Sequence, residues 1–165
     1  MRILAALCVA LALASSPAHA DPAKAPRSGV SAKQKPAASA ALPKVVTYKD
    51  ASCGCCGNWI EHMRHHGFVV EAHNHPDMAA IKQQLGVPLN KASCHTSKVG
   101  GLVIEGHVPA EDVKRLLANR GDAVGLTVPG MPLGSPGMEM PDGTKHPYVV
   151  ERINRDGSTA PYAQH

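Results

Sequence analysis

The sequence predicts an α/β domain with a small central sheet flanked by helices and a C-terminal hairpin, and three observations predict it. Short β-branched runs alternate with helical patterns that close on glycine. Three cysteines, Cys53, Cys55 and Cys56, stand where the first such run passes into the first such helix. A turn signal, Asp156-Gly157, divides two extended runs near the end of the chain. Ligands of open α/β sheets gather outside the carboxyl ends of strands, which is where this cysteine cluster falls.

Taken in order, Val45-Val46-Thr47-Tyr48 reads as a buried strand ending just before the cysteines. From Cys56 to His66 the pattern is helical, with Trp59, Met63 and His66 on one face and Gly67 as the stop. Phe68 to Ala72 reads as the next strand. Pro76 and Asp77 open a second helix with Met78, Ile81 and Leu85 on one face, ended by Gly86. Cys94-His95-Thr96-Ser97, followed by Val99, and Leu102 to Glu105 read as two extended pieces around Gly100-Gly101. Pro109 starts a third helix, in which Glu111 and Asp112 suit the positive end, Val113, Leu116 and Leu117 face inward, and Arg120-Gly121 finishes the run. Gly125 to Gly143 reads as a Pro- and Gly-rich loop with Met131, Met138 and Met140. Tyr148 to Ile153 and Ser158 to Tyr162 form the terminal hairpin.

The chain before Lys44 reads as lying outside the folded domain. Arg2, the apolar run Ile3 to Ala14 and the A-x-A site Ala18-His19-Ala20 read as a secretory signal over residues 1–20, which places the mature protein in an exported, oxidising compartment. Cys8 lies inside that signal. Residues 21–43 hold seven Ala, four Pro, three Ser and four basic residues, which is linker composition. Residues 44–165 are the expected single domain. No later stretch approaches the roughly 20 apolar residues of a membrane helix, so no stable membrane insertion is expected.

Charge excludes another class. The whole chain carries 17 basic and 13 acidic residues, but residues 44–165 carry 12 of each, so the domain itself has no basic surplus with which to hold nucleic acid. One Phe, one Trp and three Tyr make a poor base-stacking surface.

Cys53 and Cys56 are in C-x-x-C register with Cys56 in the first helical turn, where free N–H groups and the helix dipole favour thiolate. Those two alone describe a thiol–disulfide oxidoreductase, with Cys53 as nucleophile and Cys56 as resolving thiol. Cys55 would interfere with such exchange, yet to a soft metal it is one more ligand. Two plain structural bridges are awkward, because adjacent Cys55 and Cys56 need partners on different sides. Thiolates select Cu(I), zinc and iron–sulfur clusters. The lone distant Cys94 does not give the paired knuckles of structural zinc, and the spacing matches neither common ferredoxin pattern. Cu(I), content with two or three bridging thiolates, fits the crowded set best, with zinc and iron–sulfur still open. His95 follows Cys94 directly and reads as support for the site or as a turn residue. Met131, Met138 and Met140 offer soft thioether sulfur as auxiliary ligands. His62 and His66, four apart on a helix, have the spacing to pinch a metal but read better as a solvated face, and His73, His75 and His107 take the same solvated reading.

Four motifs in order then resemble one family: Cys53-Gly54-Cys55-Cys56 followed by Trp59; Ser93-Cys94-His95-Thr96; Glu105-Gly106-His107-Val108-Pro109-Ala110; and Val128 to Glu139. Together they span nearly all of residues 44–162 and resemble the CopG-like periplasmic metal-binding proteins, with no departure at the four cysteines. The resemblance implies a thioredoxin-like fold, a periplasmic location, a copper-resistance context with other copper-handling proteins as partners, and a copper–thiolate site of Cys53, Cys55, Cys56 and Cys94. It assigns no catalytic residue, and the one activity it implies is a change in the oxidation state of copper.

Overall fold

The computed structural model describes residues 41–165. The expected signal, and the linker as far as residue 40, lie outside the described residues. Seven strands form one mixed sheet in the order β2-β1-β3-β4-β5-β6-β7, with three α-helices, so the α/β class holds. No helix among the described residues is long and apolar enough to cross a membrane.

The chain is built from two strand–helix–strand units and two hairpins. β1 (Val45–Lys49) and β2 (Val70–Asn74) are parallel, which requires a crossover, and α1 (Gly54–His65) supplies it. After α2 (Met78–Gln84) and a 3-10 turn over Leu89–Lys91, β3 (Thr96–Val99) and β4 (Leu102–Glu105) make a tight hairpin. β3 also runs antiparallel to β1. The second parallel pair is β4 with β5 (Ala123–Thr127), crossed over by α3 (Ala110–Ala118). β6 (Val149–Asn154) and β7 (Thr159–Gln164) close the far edge as the expected hairpin.

Each helix buries the face its spacing selects. α1 turns Cys56, Trp59, Ile60 and Met63 inward, and α3 turns Val113 and Leu116 inward. They join Val45, Val99, Leu102, Ile104, Leu126 and Val150 in one apolar cluster, where each large side chain contributes about 1.5–3 kcal/mol of transfer free energy. Leu42, at the end of the linker, packs against this cluster. α2 is capped by Asp77, whose carboxylate accepts from the Ala80 N–H at 3.0 Å.

Four expectations need correction. Ala123–Thr127 is strand β5 rather than the start of a loop; its short Ala-Val-Gly-Leu-Thr run has a weak intrinsic signal, and pairing on both sides decides it. β2 begins at Val70, because Phe68 still belongs to the turn after α1, its N–H donating to the Met63 carbonyl. α1 begins at Gly54, so Cys55 as well as Cys56 stands in its first turn. Leu117 is only partly buried at the rim of the core.

Gly125 marks how tightly β5 is held, since a Cβ there would overlap the carbonyl oxygen of Val103. Gly125→Ala should therefore lower the unfolding free energy by about 3 kcal/mol, measured by urea denaturation with Trp59 fluorescence as the probe.

Candidate metal centre

Strand register gathers the chemistry at one end of the sheet. β1 ends at Lys49, and Cys53 is the residue that caps the start of α1. Thr96 pairs with Tyr48 at that same end, so Cys94, two residues before Thr96, arrives beside the cysteines of α1. Thr96 also faces Glu105, so β4 stops there and His107 follows at the same end. Thr127 lies opposite Glu105 in turn, which brings in the Val128–Gly130 segment, and the Gly130 N–H donates to the Ala92 carbonyl at 3.2 Å.

The sulfur atoms of Cys53, Cys55, Cys56 and Cys94 all lie within 4.8 Å of one another. Cys53 and Cys56 are joined as a disulfide across a Cα–Cα distance of 5.4 Å, and Cys55 and Cys94 are free. The Cys55 sulfur is 3.6 Å from that of Cys53. Cys56 is fully buried beneath the cluster, and the other three are half-buried. No side chain caps α1, so its first N–H groups face this sulfur-rich end, which favours negative charge there.

Cys94 sits between two imidazoles. Its sulfur is 3.0 Å from Nε2 of His107 and 3.3 Å from Nδ1 of His95. His107 Nδ1 is 2.8 Å from the Pro136 carbonyl, which can only accept, so Nδ1 carries the proton and Nε2 turns a lone pair to Cys94. Burial lowers the pKa of His107, and burial with the neighbouring His107 lowers that of His95 well below the ordinary value, so both rings are neutral at pH 7. Burial, with Cys55 close by, pushes the Cys94 thiol up to about 11. Cys94 therefore stands as S–H donating to His107, and any metal that takes its sulfur must displace that proton.

His95 is fully buried, its ring 4.5 Å from Trp59 and edge-on to His107 at 5.1 Å. Its Nε2 has no hydrogen-bond partner. It thus packs the floor of the site as well as touching Cys94. The reading of His107 as a bland residue is corrected: it is buried against Cys94, and Cys94, His95 and His107 form a second donor group with atoms within 4.8 Å. Sequence spacing could not reveal this, because the contact depends on β3 pairing with β4; the signal was the histidine two residues beyond a strand end. His62 is not simply solvated either, since its Nε2 accepts from the Ala110 N–H at the start of α3, and its ring packs, tilted by 41°, against His66 with centroids 4.3 Å apart. His73 and His75 are at the surface, bonded to Glu71 and to the Asp77 backbone.

The methionine loop approaches α1 through its backbone. Gly137 has φ of +85°, and a Cβ on it would lie 2.7 Å from the Trp59 nitrogen and 2.8 Å from the Cys55 carbonyl oxygen, so the strand of loop around it rests on the first turns of the helix. Met131 and Met140 are exposed, at 52% and 39%, while Met138 is half-buried.

An α/β sheet that delivers four cysteine sulfurs from two segments to one end, beside neutral imidazoles, defines a protein of thiol-centred chemistry. Residues 91–138 match a family described as a protein of unknown function, DUF411. No curated protein sequence matches the chain. Two solved structures, Form 2 and Form 1 of a copper resistance protein copG, superpose with TM-scores of 0.71 and 0.70 at 45% and 46% identity. They cover 75% and 74% of this chain and 98% of their own chains. The chain belongs to the CopG family of copper resistance proteins.

Two outcomes follow from this geometry. Gly137→Ala should cost roughly 1–3 kcal/mol through overpacking and lift the loop from α1, read as lower thermal stability together with faster alkylation of Cys55. Burial, with His66 second, holds the pKa of His62 down to about 4. The unfolded chain binds that proton near pH 6.5, so the folded state loses stability as pH falls from about 6.5 towards 4. His62→Gln keeps an acceptor for Ala110 and should flatten this slope in thermal melts between pH 7 and 4.5, without abolishing it, because His95 and His107 act in the same direction.

Proposed function

We propose that the chain is a periplasmic copper-binding protein that holds Cu(I) through Cys53, Cys55, Cys56 and Cys94 once all four are thiols, and that it buffers, transfers or changes the oxidation state of copper. The observation that carries this reading is the convergence of four sulfur atoms within 4.8 Å, three of them from a single turn of chain. Soft, crowded sulfur suits a soft monovalent ion and needs no large rearrangement to bridge more than one ion. The names of the copper resistance proteins that this chain resembles support copper over zinc.

Copper here is cargo. The chain's own residues prepare for it: the uncapped N-terminus of α1 turns free N–H groups to the sulfur-rich end, His107 offers a lone pair for the proton leaving Cys94, and Trp59 and His95 exclude water from the floor. The methionine loop provides cover, with Met138 as the half-buried thioether. The secretory leader read in residues 1–20 supports the periplasmic assignment.

A second reading has its own observation. The Cys53–Cys56 disulfide, with Cys53 half-exposed and Cys56 buried, is the arrangement of a dithiol oxidoreductase whose outer sulfur is attacked first. The two readings separate on Cys55. Metal analysis and thiol counting on residues 44–165, reduced, freed of reductant and titrated with Cu(I) under nitrogen, should show more than one copper bound and all four thiols protected. Cys55→Ser should lower that stoichiometry, and unchanged binding in this variant would remove the four-cysteine site. Insulin reduction that needs no copper and survives Cys55→Ser would establish the oxidoreductase instead.

A further inference from the structure

A buried ion pair lies next to the Cys94 segment and has no part in the sulfur cluster. Glu105, the last residue of β4, is fully buried, and its Oε1 accepts from Lys82 Nζ at 2.7 Å and from the Ser93 backbone N–H at 2.6 Å. Its Oε2 accepts from the Thr96 hydroxyl at 2.6 Å. Lys82 reaches in from α2 with its side chain 9% exposed, and also donates to Thr96 Oγ1 at 3.0 Å. Taking two opposite charges out of water costs more than their attraction commonly returns, and apolar replacements of similar volume often stabilise a domain. Core packing alone does not call for this pair.

What the pair holds is specific. Ser93 and Thr96 bracket Cys94 and His95, so one carboxylate grips the short segment on both sides of the distal thiol. Glu105 is also two residues before His107, whose Nε2 faces the Cys94 sulfur. Between them Gly106, with φ of +72°, presses so closely on Ser93 that a Cβ would come to 2.5 Å from its side chain, and the Gly106 N–H donates to the His95 carbonyl at 3.0 Å. The segment bearing the thiol and the segment bearing its imidazole partner are thus set against each other by a single buried anion. Lys82 fixes the orientation of that anion through Oε1, the oxygen that also holds the Ser93 N–H, and through its own bond to Thr96 Oγ1.

We propose that the buried Lys82–Glu105 pair is a positioning device for Cys94, aiming its sulfur into the cluster formed by the cysteines of α1 while leaving the stability of the fold to the apolar core. This rests on the reading of Cys94 as a copper ligand. Lys82 and Glu105 touch no sulfur and are positioning residues that act through Ser93 and Thr96.

The test compares wild type with the double variant K82M/E105L, which replaces both charges by apolar side chains of similar size, and with E105Q, which keeps an acceptor for Ser93 but removes the charge. In reduced, metal-free protein, the alkylation rates of Cys94 and Cys55 are followed separately by mass spectrometry, with a thermal melt on the same samples. The expected result for K82M/E105L is a cooperative melt, lowered only by the lost acceptor of Ser93 and Thr96, and a Cys94-to-Cys55 rate ratio shifted by about tenfold as the thiol leaves its cradle. After anaerobic Cu(I) loading, Cys94 should be left unprotected while the cysteines of α1 remain covered. E105Q should shift the ratio in the same direction by less, and it decides the matter if the double variant does not fold. A ratio within about twofold of wild type in a folded variant overturns the proposal, as does a change in the melt with none in the ratio. If wild type fails to protect four thiols, the copper reading falls, while the metal-free rate ratio still decides whether the pair positions Cys94.

Discussion

Trp59 is the side chain on which the arrangement of this protein depends. It belongs to α1, the helix that carries Cys55 and Cys56, and it is completely buried. Its indole N–H donates to the Val108 carbonyl at 2.9 Å, beyond the end of β4, and its ring lies 4.5 Å from His95, next to Cys94. One residue therefore ties the helix with the proximal sulfurs to both segments that complete the centre. The hydrogen bond sets direction and the large apolar face supplies the free energy. Without a rigid floor, sulfurs drawn from separate stretches of chain would have to be gathered by the ligand itself, at the entropic cost of ordering the segments that bear them.

The surroundings of the sulfurs are sparing with charge. Burial keeps His95 and His107 neutral and raises the Cys94 thiol to about 11, so the distal half of the centre starts as a hydrogen-bonded, uncharged S–H and imidazole pair. The proximal half begins at an uncapped helix end with spare N–H donors. A cation arriving between them compensates the charge of the thiolates it creates, so the apolar setting penalises the free thiolates more than the bound ones. In the same setting the buried charges Lys82 and Glu105 are paired with each other and turned to backbone and hydroxyl groups rather than to sulfur.

Much of the architecture was legible because local rules and tertiary demands agree. Three helices carry their apolar spacing, glycine stops follow α1 and α2 closely, the β3–β4 and β6–β7 hairpins carry their turn residues, and the α/β character is the expected one, though α3 ends at Ala118, short of the expected Arg120-Gly121 stop. Where the two levels separate, reading fails. Ala123–Thr127 is too short and too small in side chain to announce itself, yet it fills the sheet between β4 and β6. Val69 sits among apolar neighbours but is 68% exposed, because the turn after α1 buries Phe68 and Val70 on either side of it. His107 read as a solvated residue and Glu105 as the end of a strand; only the pairing of Thr96 with Glu105 makes them neighbours of the Cys94 segment.

By itself the sequence determined which atoms are available for chemistry: three thiols packed at a strand-to-helix junction, a fourth far along the chain, and the family motifs that join them. These are local facts of residue type and spacing, and spacing within one helical turn is enough to put three sulfurs together. The tertiary structure alone decided where Cys94 meets the group and that His95 and His107 flank it as neutral rings. Those outcomes depend on strand register and on burial, which arise from the whole sheet closing over its core and have no counterpart in any short stretch of chain.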